Sequence, residues 1–428
     1  MQQLIDAIDL DRASAAVAEH ALRTPTISSD ELAPLVGGPL ALKCECLQRT
    51  GSFKIRGAIS KVAALGPRAE AGLVTASAGN HGRAVAQAAL LHGISCEVFM
   101  PREAPVFKVE AVQRLGARVT LAGESVDDAL ALARERAAEP GPGGADGPAL
   151  VHPFDDLDVI AGQGTIGLEL LRDVPDLARV VVPVGGGGLA SGIGAAMRRA
   201  GARVELIGVQ ASACAPYARL LGADGSGPEP IASAGATIAD GIAIKHPGTL
   251  TRPLLEDLLD GMVTVEEDEI ASAIVLLAER AKLVAEGAGA VALAALAAGR
   301  LAPASGPTVA IVSGGNLDSG LLAAILRRRE TEQGRRVRVF TRVADRPGAL
   351  AELLALVAEA GANLLALEHL REAIPLHVRE TGVALTLETR GPDHTRELLE
   401  RLASAGYELG QQDPRPPRPT RERGPTGP

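Results

Sequence analysis

Through the first 330 residues, short apolar runs keep alternating with amphipathic helical stretches, and small-residue loops join one to the next. Residues 73–75, 96–100, 117–121, 179–184, 204–209 and 308–312 read as strands. These runs are apolar almost throughout, the pattern of strands covered on both faces. Helices placed between such strands give an α/β architecture with parallel sheets. The stretch 287–299 is rich in alanine and glycine and is shorter than a bilayer span, so it is expected as a closely packed internal helix.

A different pattern follows. Residues 331–336 are charged, contain Gly334 and suit a linker between a domain over 1–330 and a smaller one over 337–411. The smaller one reads as strand 337–343, helix 347–359, strands 363–369 and 383–389, helix 394–403 and a short strand 407–409. That βαββαβ order is the ferredoxin-like α+β unit. Residues 412–428 are rich in proline, arginine and glycine and are expected to form a disordered tail.

Composition narrows the function. The net charge is -9, and the chain has 0 Trp, 2 Tyr and 5 Phe, so it lacks both the basic surface and the rings that bind nucleic acid. Cys44, Cys46, Cys96 and Cys214 make no CxxC pair and have no metal-finger spacing. They read as reduced thiols of a cytoplasmic protein. No signal peptide is evident at the N-terminus, and no membrane association is expected.

Four loops and one acid carry the chemistry. Lys54, in Gly51-Ser52-Phe53-Lys54-Ile55-Arg56-Gly57-Ala58, sits among small and apolar residues in a chain whose positive charge is mostly arginine. A lysine there is either an ordinary surface residue opening a helix or an amine able to form an imine with a carbonyl cofactor. Ser77-Ala78-Gly79-Asn80-His81-Gly82 links a strand to a helix, which suits either a plain turn or an anion site. Gly185-Gly186-Gly187-Gly188-Leu189 does the same. It lacks the Gly-Lys-Ser/Thr ending of a P-loop. It meets a dinucleotide pattern only superficially, because Glu205 opens the next strand and Gln210 stands where a ribose-binding acid belongs. A loop holding a single phosphate group is the favoured reading. Ser313, in Ser313-Gly314-Gly315-Asn316, is either a helix cap or a hydroxyl aimed at a cofactor ring. Glu286, between Ala285 and Gly287, is a site candidate because a buried acid needs a partner.

Together, in this order, these segments resemble the pyridoxal-phosphate enzymes of the tryptophan-synthase-β-like fold (fold type II), and among them the threonine ammonia-lyases, or threonine dehydratases. The resemblance covers roughly residues 5–330 and implies two lobes, the smaller over about 55–150. It implies that Lys54 binds pyridoxal 5'-phosphate as an imine and later carries the Cα proton. Phe53 would pack near the cofactor, Asn80 would bond its ring hydroxyl, Glu286 would belong to the same shell, and Ser313 would meet its ring nitrogen. Gly185, Gly186, Gly187, Gly188 and Leu189 would hold the phosphate, while Ser77, Ala78, Gly79, Asn80 and His81 would hold the substrate carboxylate.

The implied reaction is β-elimination of water from L-threonine, and from L-serine, followed by hydrolysis of the enamine to 2-oxobutanoate, or pyruvate, and ammonia, at the start of isoleucine biosynthesis. Serine racemases of this fold carry a serine at the position of Ala78, so alanine there favours a lyase. Their divalent-cation positions correspond to Gln210, Cys214 and Pro216, which supply no carboxylate, so no metal is expected. Residues 337–409, with Asp345-Arg346-Pro347-Gly348-Ala349-Leu350, resemble an ACT domain. That likeness implies an amino-acid effector, isoleucine or valine, bound between domains near Gly348 and near Gly361 to Asn363, in a homotetramer.

Overall fold

In the computed structural model, which describes residues 1–141, 146–222, 235–371 and 377–410, the apolar runs of the first 318 residues form two sheets. The larger has six strands in the order β1 (Thr26–Ser28), β2 (Leu40–Cys44), β10 (Thr308–Val312), β7 (Arg179–Pro183), β8 (Glu205–Ala211) and β9 (Gly261–Val265). Only β1 runs antiparallel; all the other pairings are parallel. The smaller sheet is wholly parallel, in the order β5 (Arg118–Leu121), β4 (Cys96–Met100), β3 (Leu73–Ala76) and β6 (Ala149–Leu150). β2, β7 and β10 are buried along their whole length, as near-continuous apolar strands require.

Small residues set how closely the helices approach. The helix Leu157–Asp173 lies between the helices Lys54–Leu65 and Gly188–Arg199. A Cβ on Gly162 would sit 2.4 Å from the Arg56 carbonyl, and one on Gly192 would sit 2.4 Å from that of Ile160. Backbones touch at both crossings, so any larger residue would push the helices apart. The expected internal helix is present over Gly287–Ala297, with nearly every residue buried.

A charge cluster is buried beneath the Lys54–Leu65 helix. Arg56 donates from Nε to Glu45 Oε2 (2.9 Å) and from Nη1 to Glu169 Oε1 (2.7 Å). Lys43 donates to Glu169 Oε2 (2.6 Å) and to the Thr24 carbonyl (2.8 Å). Two cations thus face two buried carboxylates, with the part-exposed Asp173 also 3.8 Å from Lys43, and each buried charge has a partner, which is the condition for burying it.

The unit from Ser319 onward begins with a helix, Ser319–Glu332, so that only 333–335 separates it from β11 (Arg336–Ala344). β13 (Glu380–Glu388) pairs antiparallel with both β11 and β12 (Asn363–Leu370). The helices Ala349–Glu359 and Pro392–Ser404 pack through Leu353, Val357, Leu398 and Leu402 onto Val383, Leu385 and Leu387. The strand expected at 407–409 is reduced to one bridge, Phe340 to Gly410. The Glu408 carbonyl is bonded by the Thr341 hydroxyl (2.9 Å) rather than by a ladder N–H. The tail expected over 412–428 lies outside the described residues. Among the described residues, no helix is long and apolar enough to cross a membrane.

Candidate active site

In open α/β sheets, ligands gather at the carboxyl ends of the strands. Here β2, β10 and β7 are neighbours, and their carboxyl ends feed the Lys54 segment, the Ser313 loop and the four-glycine loop. The smaller sheet contributes the 77–81 loop after β3 and residues 151–154 after β6. These loops enclose a cavity of about 410 Å³. Phe53, Lys54, Ser77 to His81, Gly185 to Leu189, Glu286 and Ser313 all line it.

Lys54 is held from two sides. The Phe53 N–H donates to the Ser313 carbonyl (3.1 Å) and the Gly315 N–H to that of Gly51 (2.9 Å), which ties the Lys54 segment to the Ser313 loop. Lys54 Nζ donates to the Pro153 carbonyl (2.7 Å) and lies 5.2 Å from the centre of the Phe53 ring. Loss of hydration lowers the pKa of this amine to about 8, against the opposing charge of Glu286. A substantial neutral fraction is therefore present near physiological pH.

The four-glycine loop leaves its backbone donors free toward the cavity. Among the described residues, no N–H from Gly185 to Leu189 donates to a protein acceptor. The Gly186 carbonyl is pinned by Tyr217 Oη (3.1 Å) and Thr251 Oγ1 (2.7 Å). Gly187 has φ 93°, and the helix Gly188–Arg199 starts immediately after it. Unpaired donors at a helix N-terminus suit a phosphate. A Cβ on Gly186 would fall 2.2 Å from the Phe154 ring, so the tight fit requires glycine. Glu205, bonded to Arg179 (2.6 Å), and Gln210, bonded to backbone groups, leave no ribose-binding acid.

The 77–81 loop also joins a strand to a helix on the cavity wall. Ser77 Oγ accepts from the Gly79 N–H (3.0 Å), and the helix Asn80–His92 follows. His81 is buried and its Nε2 donates to the Val151 carbonyl (2.9 Å). Burial drives its pKa down to about 3, so its imidazole is neutral and brings no positive charge to the loop. Ser313 is also buried, and its hydroxyl donates to the Ala288 carbonyl (3.3 Å). Glu286 caps the helix Gly287–Ala297 and accepts from Asn80 Nδ2 (2.6 Å). Burial, reinforced by Asp240, raises its pKa to about 7.

Sequence reading missed several lining residues. Pro153 and Phe154 follow a strand of only two residues, too short to show a pattern. Arg83 and Asn316 stand within or beside motifs singled out above, and their position there was the available signal. In the second unit, Gly348 (φ 92°) precedes the Ala349–Glu359 helix, beyond the Ala344 end of β11. Gly361 (φ 76°) and Asn363, which donates to Glu388 Oε2 (3.1 Å), lie at the opposite end of the sheet. One copy of the unit does not bring these three residues together.

Comparison with known proteins identifies the family. The sequence profile described as "Pyridoxal-phosphate dependent enzyme" matches residues 17–314, and that of the ACT domain matches 337–406. The L-threonine ammonia-lyase of Geobacter sulfurreducens is 45% identical over 388 residues, covering 90% of this chain and 94% of its own. Among solved structures, a T.th. threonine deaminase is 38% identical, with a TM-score of 0.65 over 72% of this chain and 98% of its own. Maize serine racemase is 33% identical, with a TM-score of 0.67 over 77% and 98%. By these matches the chain belongs to the pyridoxal-phosphate dependent enzymes and carries an ACT domain over residues 337–406.

Proposed function

We propose that this chain is a threonine ammonia-lyase, converting L-threonine to 2-oxobutanoate and ammonia, and L-serine to pyruvate and ammonia. The observation that carries the reading is Lys54, an amine with its pKa lowered to about 8 on the wall of a cavity that also holds a phosphate cradle. When bound, pyridoxal 5'-phosphate supplies a carbonyl for amines and a ring that accepts the electron pair released at Cα. The chain's own residues do the rest. The N–H groups of Gly185 to Leu189 would hold the phosphate, and Phe53 flanks the site. Asn80, backed by Glu286, would meet the ring oxygen. Ser313, a neutral hydroxyl on the cavity wall, would be the partner of the ring nitrogen, and a neutral partner there would suit elimination better than a carboxylate. The Ser77–His81 loop orients the substrate carboxylate, and Lys54 removes the Cα proton.

Ala78 offers no proton, so Lys54 remains the main proton carrier at Cα, which favours a lyase over a racemase. The ACT domain is proposed to bind isoleucine or valine between copies of the chain. Its ligand residues lie at opposite ends of a single sheet, so such a site draws on more than one copy, as in a homotetramer. Isoleucine or valine suits as effector because threonine deamination begins isoleucine biosynthesis, a role proposed here for the cytoplasm.

The test is formation of 2-oxo acid from L-threonine and L-serine, with and without isoleucine and valine, alongside Lys54→Ala. Full activity in the lysine variant would refute the reading. Appearance of D-serine without 2-oxo acid would favour a racemase.

A further inference from the structure

Arg83, Asn316, Asn80 and Glu286 form one hydrogen-bonded row along the cavity wall. Arg83 Nη1 donates to Asn316 Oδ1. Asn316 Nδ2 donates to the Thr50 carbonyl (2.8 Å) and to Asn80 Oδ1 (2.6 Å), and Asn80 Nδ2 donates to Glu286 Oε1 (2.6 Å).

The chemistry of the ends fixes the direction of the whole row. A guanidinium only donates and a backbone carbonyl only accepts, so Asn316 has one workable orientation. Its Nδ2 then demands an acceptor from Asn80, which turns Oδ1 of Asn80 toward it and Nδ2 toward Glu286. Reversing Asn80 would set two N–H groups against each other and a carbonyl against a carboxyl oxygen. Of the two hydrogens on Asn80 Nδ2, one goes to Glu286 and the other is left for the cavity. Two glycines make room for the row. A Cβ on Gly51 would fall 2.5 Å from Asn316 Oδ1, and one on Gly314 would fall 2.2 Å from Glu286 Oε1.

We propose that Asn316, anchored by Arg83 and the Thr50 carbonyl, is a positioning residue that compels Asn80 to present an N–H, and never its carbonyl, to the ring oxygen of the cofactor. A donor at that oxygen stabilises its anionic form. The inference rests on the cofactor reading above and adds two residues, neither of which touches the substrate in that reading.

The test uses holoenzyme and reads two quantities, the rate at which pyridoxal phosphate is released and the pH midpoint at which its visible absorption titrates. Asn316→Asp keeps a partner for Arg83 but cannot donate to Asn80. It is expected to release the cofactor roughly tenfold faster, the loss of about one hydrogen bond, and to titrate at higher pH. Arg83→Met and Arg83→Gln are both neutral, and only the second retains a donor. The glutamine variant is expected to stay near wild type in both readouts, and the methionine variant to move in the direction of Asn316→Asp. An Asn316→Asp enzyme indistinguishable from wild type would overturn the proposal. Should that variant not fold, equal release rates and midpoints for the two Arg83 variants overturn it instead. A wild-type protein without visible absorption would sink the cofactor reading itself, a result distinct from either.

Discussion

Asn80 Nδ2 lies 2.6 Å from Glu286 Oε1, and 206 positions in sequence separate the two residues. Asn80 opens the helix after β3 of the smaller sheet, whereas Glu286 caps a helix packed on the larger one. Their bond therefore links the two sheets across the cavity. It also stabilises the charge of a carboxyl whose pKa burial raises from 4.5 to about 7.

That raised pKa makes stability depend on pH. A carboxyl of this kind binds more protons folded than unfolded between 4.5 and about 7. Its contribution is fully present below 4.5 and is lost as pH rises through 7. The whole span is worth on the order of 3 kcal/mol, at about 1.4 kcal/mol per pH unit. Glu286→Gln keeps an acceptor for Asn80 and removes the titration. Urea midpoints of the cofactor-free protein at several pH values should fall across this window in wild type and lose that component in the variant. Parallel curves would show that Glu286 does not titrate there.

The Lys54 amine should react as an unusually acidic lysine. Its neutral fraction rises with pH through about 8 rather than through the ordinary 10.5. Competitive acylation of cofactor-free protein, read by mass spectrometry, should place the midpoint for Lys54 about two units below that of exposed lysines. Glu286 opposes the shift, so Glu286→Gln should move the midpoint lower still. An unchanged or higher midpoint in that variant would contradict the electrostatic assignment.

The four-glycine loop makes a steric prediction. Gly186→Ala would put a methyl 2.2 Å from the Phe154 ring. Overpacking of that kind costs about 1–3 kcal/mol. It should also weaken cofactor retention, because the loop must shift to relieve the contact. Phe154→Ala opens the space, so the double variant should hold pyridoxal phosphate better than Gly186→Ala alone. If the double variant were the weaker binder, Phe154 would have a role beyond filling that space.

What could be read from the sequence divides along physical lines. β3, β4, β5, β7, β8 and β10 were legible as apolar runs, whereas β1, β2, β6 and β9 were not among the strands expected; the site loops were legible because glycine and serine mark tight turns after strands. Phe154 and the Pro153 carbonyl were not, since one is a lone aromatic and the other a backbone group without any side-chain signal. The row from Arg83 to Glu286 depends on amide orientations that exist only once two sheets have packed. Tyr407 to Leu409 failed as a strand because a threonine hydroxyl competes for the backbone. Arg56 was visible in its motif, yet nothing in the motif shows that Glu45, Glu169 and Lys43 enclose it.

That enclosed cluster gives the largest stability effect. Arg56, Lys43 and Glu45 are each 0% exposed and Glu169 only 6%, so solvent cannot compensate a missing charge. Arg56→Met removes the partner of Glu45 Oε2 and one of the two cations on Glu169, leaving a buried carboxylate in excess. Breaking a buried pair from one side typically costs about 3–5 kcal/mol. Adding Glu45→Gln restores balance, because the Lys43–Glu169 pair remains intact at 2.6 Å. The double variant should therefore unfold at a higher urea concentration than Arg56→Met alone, even though it has lost one more charge. Arg56 also lies two residues beyond Lys54 in the same helix, so the order of urea midpoints should be repeated in the rate of cofactor loss. If the double variant proved less stable than the single one, the network would be acting through packing and hydrogen bonds rather than through charge balance.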